Sequence, residues 1–281
     1  DYNHVINGQI AYIEKEKYSA LEIISLSKVI ITRDILKGVL SISEEDIDLI
    51  IKSLIESRII DEHIVDNMES LSIYSNELKR IIYSRIPKKR KIELHNLAAS
   101  CIINLYKDDY KFIIEELIHH LINSNQGEYA FDIVFNEAQS QSNMYSTYSI
   151  LLWEHAYDLV ENKNYDQKLN ILDSLIKIYD MKGYVELKDE YISEMNIFAT
   201  ENSNLEYVIR AKYYGTEILL NTNQMAAAEK MILEMEDILD KNDGLWDGHI
   251  LLLMCKTNME FNKNRFNNIE DYLIKALRLT K

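Results

Sequence analysis

Arg265-Phe266-Asn267-Asn268-Ile269-Glu270-Asp271-Tyr272-Leu273-Ile274-Lys275-Ala276-Leu277 reads as a helix with one apolar side, and its pattern has been met twice before in the chain. Phe266 stands 41 residues after Met225, and Met225 stands 41 after Tyr184. The same step relates Leu187, Ala228 and Ile269, then Tyr191, Ile232 and Leu273, then Phe198 and Leu239. Lys182, Asn223 and Asn264 fall in polar turns just upstream, while Leu175, Thr216 and Thr257 fall mid-helix. Each copy is helix, short polar turn, helix. A weaker copy ends with Tyr148-Ser149-Ile150-Leu151-Leu152-Trp153-Glu154-His155-Ala156. A helical hairpin cannot bury its own apolar face, so such units stack on one another.

Composition agrees with a helical chain. One proline and seven glycines in 281 residues leave little punctuation for strands, so the expected class is all-α with a minor β hairpin. The apolar share, 47%, suffices for real cores and excludes a disordered tail. No apolar run approaches the roughly 18 residues of a membrane span; Ile250-Leu251-Leu252-Leu253-Met254-Cys255 is the longest near position 250. Cys101 and Cys255 lack metal-type spacing and fit a reducing cytoplasm as inert thiols. The first residue is Asp1 with no basic-then-apolar leader, so the chain is expected to be a piece of something longer. Residues 1–126 hold 16 basic and 20 acidic residues, and residues 127–281 hold 15 and 26. So acidic a second half repels phosphate and disfavours nucleic acid.

The first half reads differently. Ala20, Leu21, Ile23, Ile24 and Leu26 make one stripe. Thr32 caps a helix over Arg33–Leu40, and Ser43 with Asp46 opens another carrying Ile47, Leu49, Ile50, Ile51, Leu54 and Ile55 inward. Ile59-Ile60-Asp61-Glu62 and Leu71-Ser72-Ile73-Tyr74 suit a small hairpin. Three short helices plus a hairpin is a winged-helix layout. After a further helix over 76–86, Pro87 introduces a long one over Lys88–Tyr106, with Ile92, Leu94, Leu97, Ala98, Cys101, Ile102 and Leu105 inward, and another runs from Phe112 to about Ile122. The expected divisions are 1–86, a winged-helix-like connector; 87–144, linking helices; and 145–281, repeats of period 41.

Two resemblances follow. Phe266, Leu273 and Ala276 match the second helix of a tetratricopeptide repeat, with Ile269 where that family has a small residue and Ala228 fitting that place one unit earlier. The resemblance implies a right-handed α-solenoid whose first helices line a concave groove. Carried over by the 41-residue register, the groove candidates are Tyr179 and Asp180; Arg210, Tyr213, Glu217 and Asn221; and Met254, Asn258, Phe261 and Asn262. Aromatics with amides suit an extended peptide. Trp153 and Trp246 are expected in core or cap positions. The junction, Leu71-Ser72-Ile73-Tyr74-Ser75-Asn76-Glu77-Leu78-Lys79-Arg80, then Arg90-Lys91-Ile92-Glu93-Leu94-His95, later Glu116-Leu117-Ile118-His119-His120 and Glu128-Tyr129-Ala130-Phe131, resembles the segment after the ATPase module in bacterial signal-transduction ATPases with numerous domains. Those regulators place a winged helix and tetratricopeptide-like repeats there, with a kinase, DNA-binding or cyclase output elsewhere. Asn76 stands where that family often has a nucleotide-facing histidine.

Chemistry-bearing clusters are few. None of the seven glycines begins a phosphate-binding loop, and no nucleophile or cofactor loop stands out, so a catalytic role and a cofactor are not expected. Glu115, Glu116, His119 and His120 form two i, i+4 pairs, half a metal site with no third ligand near in sequence, and packing is expected for them and for His95. Lys79, Arg80, Arg85, Lys88, Lys89, Arg90 and Lys91 form a basic patch suited to inter-domain pairing, with nucleotide or nucleic-acid contact as alternatives. Glu44-Glu45-Asp46 at the tip of the would-be recognition helix repels phosphates, which makes the winged helix a connector. The expected function is a non-catalytic sensor arm of a larger cytoplasmic signalling ATPase, binding a protein, peptide or small inducer, with self-association also open. The alternatives are a stand-alone interaction scaffold and a DNA-binding transcriptional regulator.

Overall fold

A computed structural model describes residues 13–65, 67–107, 109–141, 145–160 and 165–279. They form fourteen helices and one two-stranded antiparallel sheet. The chain divides into two compact units, Asp1–Ile133 and Val134–Lys281.

The first unit opens with α1 (Lys15–Leu26), α2 (Arg33–Leu40) and α3 (Glu44–Glu56), then β1 (Ile60–Val65) and β2 (Met68–Ile73). It continues with α4 (Asn76–Arg85), α5 (Lys88–Tyr106) and α6 (Ile114–Asn123). Local chemistry sets the helix starts. Thr32 Oγ1 accepts from the Ile35 N–H at 3.3 Å. Ser43 Oγ accepts from the Asp46 N–H at 3.2 Å and donates to the Asp46 carboxylate at 2.6 Å. The hairpin pairs Ile60 with Ile73 and Val65 with Met68. Leu71 and Ile73 bury one sheet face, and the Leu71 N–H donates to the Ile31 carbonyl at 2.9 Å, tying the strand to the segment after α1. Of the helices expected as linkers over 87–144, α5 and α6 lie in this unit, and α5 packs on α2 and α6. Three inward assignments are overturned. Leu49 is 66% exposed, and Leu97 and Leu105 are also exposed. On α5 the buried face runs through Leu94, His95, Ala98, Ala99 and Ile102, one residue round from the face read by apolar type alone, because it admits a histidine.

The boundary between the units falls within the sequence of α7 (Gly127–Ser140). The second unit continues with α8 (Thr147–Leu159), α9 (Tyr165–Lys182), α10 (Val185–Glu201), α11 (Leu205–Asn221), α12 (Met225–Lys241), α13 (Trp246–Asn262) and α14 (Ile269–Leu279). Each of α9 to α13 packs on the next, and α11 also packs on α13. Two core layers share one construction. One joins α9, α10 and α11 through Leu169, Leu172, Ile192, Met195, Ala199, Ala211 and Tyr214. The next joins α11, α12 and α13 through Ile209, Ile232, Met235, Leu239, Leu252, Cys255 and Met259. Residues of positive φ follow α9, α10, α11 and α13 within two residues, at Gly183, Ser203, Asn223 and Asn264, whereas α12 stops at the extended Asn242 and Gly244 turns the loop beyond it. A left-handed residue ends a helix by letting the next N–H groups turn back onto its last carbonyls, and Asn or Gly tolerates it best.

These ends correct the register. Asn223 to Asn264 is a 41-residue step, but Gly183 to Asn223 is 40. Burial agrees: Ile192, Met195 and Ala199 match Ile232, Met235 and Leu239 at 40, while Ala211 and Tyr214 match Leu252 and Cys255 at 41. Lys188, not Leu187, therefore stands where Ala228 stands in the following pair.

Candidate functional site

The helices α9, α11 and α13 present one side-chain row across the second unit. Arg210 on α11 bonds Glu206 at 2.8 Å and lies 3.7 Å from Asp173 on α9 and 3.8 Å from Asp247 on α13. The Tyr214 hydroxyl donates to the other Asp173 oxygen at 2.8 Å. Further along, the Lys188 ammonium reaches from α10 to Asp180 at 2.5 Å and lies 4.0 Å from Glu217, while the Tyr213 hydroxyl donates to Glu217 at 2.8 Å. Burial first, with Asp180 adding to it, raises the Glu217 carboxyl above its ordinary range; the Tyr213 bond and Lys188 oppose it. Asp180, Lys188, Tyr213 and Glu217 thus make one coupled polar cluster, with Tyr213 and Glu217 half-buried.

The other groove candidates divide. Tyr179 is buried and its hydroxyl donates to Glu154 at 2.6 Å, so it packs rather than lines a groove. Asn221 and Asn262 are exposed in the last turns of α11 and α13, and Asn262 bonds the Asn258 carbonyl at 2.9 Å. Met254 is exposed, and Phe261, 63% exposed, meets Phe266 edge-on at 5.9 Å. Lys188 was missed. Its charge is covered by carboxylates on neighbouring helices, which no spacing along one helix announces. Trp153 lies in the core, whereas Trp246 is exposed at the first residue of α13. Cys255 is buried, and burial pushes its thiol up to about 12.

The side chains of the basic patch do not share one environment. Lys79 turns inward and donates to the Ser27 carbonyl at 2.7 Å, and burial lowers its ammonium. Arg90 lies 4.0 Å from Glu22 and 3.8 Å from Glu93, and Lys91 stands 3.9 Å over the Tyr83 ring. Arg80 lies 4.0 Å from Glu77; Arg85, Lys88 and Lys89 are exposed. The acidic start of α3 is partly neutralised within the unit, since Arg33 bonds Glu44 at 2.5 Å and Asp48 at 2.7 Å.

The first unit also gathers what the sequence kept apart. His95 on α5 meets His119 and His120 on α6, with ring centres 5.3 and 5.0 Å away. Glu116, one turn before His120, is buried, and its carboxylate accepts the N–H groups of Lys28 at 3.0 Å, Val29 at 2.6 Å and Ile30 at 3.0 Å. Burial would raise this carboxyl; contact with His120 and the Val29 and Ile30 N–H groups outweigh it and hold it at about 2. His95 is the third group that spacing along α6 could not supply. Comparison of the chain with family models, with curated proteins and with solved structures finds no match.

Proposed function

We propose that the second unit is a tetratricopeptide-like solenoid, that the first is a winged-helix-like connector, and that together they form the sensor arm of a larger signalling ATPase. The observation that carries this reading is the recurrence of left-handed residues after α9, α10, α11 and α13, at Gly183, Ser203, Asn223 and Asn264, over two core layers of one construction. The ligand face is the row on α9, α11 and α13. It sets Asp173, Asp180, Glu206, Glu217 and Asp247 against Arg210 and Lys188, with Tyr213 among them and Met254 and Phe261 exposed beyond. Such a face suits an extended peptide carrying basic and apolar side chains. Binding shifts the parent only as far as the ligand prefers one of its states.

The test is ATP hydrolysis by the parent polypeptide. The reading expects a Gly-rich phosphate-binding loop ending in Lys-Ser/Thr upstream of Asp1, and a hydrolysis rate that changes several-fold on Tyr213→Ala. A parent without such a loop returns the chain to a stand-alone scaffold, and a rate indifferent to the substitution removes the face from signalling.

A further inference from the structure

We propose that His95, His119 and His120 bind one divalent transition cation, zinc by donor type, and that this ion locks α5 and α6 to the segment after α1. The site lies in the first unit and does not depend on the sensing reading. One ring nitrogen from each histidine lies within 4.8 Å of the others. The three ring centres stand 5.0, 5.3 and 5.5 Å apart. Three imidazoles on a tetrahedral ion, with metal–nitrogen bonds of about 2.0–2.1 Å, place their ring centres about 5 Å apart. The rings are thus already at coordination spacing. Two adjustments are needed: His95 Nδ1 and His120 Nδ1, 2.7 Å apart, share a hydrogen bond whose proton moves to the unpartnered Nε2 of the ring that carries it, and the pair opens to about 3.3 Å around the ion.

The surroundings aim the lone pairs. His119 Nε2 donates to the Leu26 carbonyl at 2.9 Å, which leaves Nδ1 as the ligand atom. Asn123 now donates to that Nδ1 at 3.2 Å, and it keeps a bond to the His119 carbonyl at 2.7 Å when the ion displaces it. His120 Nε2 faces Glu116 at 3.1 Å, at ion-pair distance though out of line for a hydrogen bond, so its Nδ1 also faces inward. A carbonyl behind a ligating histidine, as Leu26 stands behind His119, fixes its tautomer and raises its basicity. His95 and His120 are buried, and the Nε2 of each lacks a hydrogen-bond partner among the described residues. The buried Glu116 carboxylate supplies negative charge beside a dication. Nitrogen donors of this kind suit zinc and its transition-metal neighbours over calcium or magnesium.

The consequence is mechanical. Glu116 holds the N–H groups of residues 28–30, His119 the Leu26 carbonyl and Lys79 the Ser27 carbonyl. An ion on the three histidines ties that clamp to α5.

The full chain, stripped with chelator, is titrated with Zn(II) alone and with Co(II) alone. One zinc per chain is expected, with a raised Tm and the visible bands of tetrahedral cobalt. X-ray absorption of the zinc-loaded wild type, which needs no variant, is expected to count three imidazoles. His119→Gln, which keeps a donor for Leu26, is expected to weaken zinc by at least about 100-fold, more than loss of a supporting partner costs. The exposed His63→Gln is expected to leave binding unchanged. No stoichiometric zinc, two or fewer imidazoles on the bound ion, or wild-type affinity in a folded His119→Gln overturns the proposal.

Discussion

Glu217 sits half-buried between the Tyr213 hydroxyl at 2.8 Å and the Lys188 ammonium at 4.0 Å, with its carboxyl raised by burial. A raised native pKa means the folded chain holds this proton more tightly than the unfolded one. The stability it contributes is full below the unfolded value of about 4.5 and is lost as pH climbs through the folded value. Glu217→Gln keeps an acceptor for Tyr213 and removes the titration. Urea midpoints measured from pH 4.5 to 7 should fall less steeply in the variant than in the wild type. Residues of this kind were only half legible. Tyr213 and Glu217 stand out as polar groups on a helix row. Lys188 does not, because a 41-residue step puts Leu187 in its place and only the 40-residue step between Gly183 and Asn223 uncovers it. His95 was hidden for another reason: it occupies the buried face of α5, where an apolar stripe was sought, and its partners lie on a different helix.

Helices α2 and α5 meet so closely that a methyl group on Gly38 would overlap the Cys101 sulfur. Gly38→Ala should therefore destabilise the first unit by about 1–3 kcal/mol despite its gain in helix propensity. Trimming the partner with Cys101→Ala should recover part of that loss, so the double variant costs less than the two single variants together. Thermal melts of the three variants read this directly. At this scale the sequence was most readable where the cause is local. Thr32, Ser43 and Ser75 each accept the N–H three residues on, and their residue types announce it. Faces were less readable where a neighbouring helix chooses which side is covered. Leu49, Leu97 and Leu105 are apolar yet exposed, since no packed element reaches that side of α3 or α5 among the described residues.

In the second unit two core layers share one construction. Each layer is closed by the first helix of the next, so Ile192 and Ile232 are buried while Leu273, the matching residue of α14, is 52% exposed. The period was visible because turns and apolar positions recur, and its one-residue variation was not, because a pattern match rewards a constant step. The row across α9, α11 and α13 is a product of that stacking and belongs to no single helix. The peptide proposed for it is best sought without prior choice, by selecting peptides from a random display library on the full chain and following amide hydrogen exchange in the complex. The account predicts slowed exchange concentrated in α9, α11 and α13 and at least a tenfold loss of affinity in Tyr213→Ala. Protection confined to α10, α12 or α14, an affinity unchanged by that substitution, or a selection that yields no binder would contradict it.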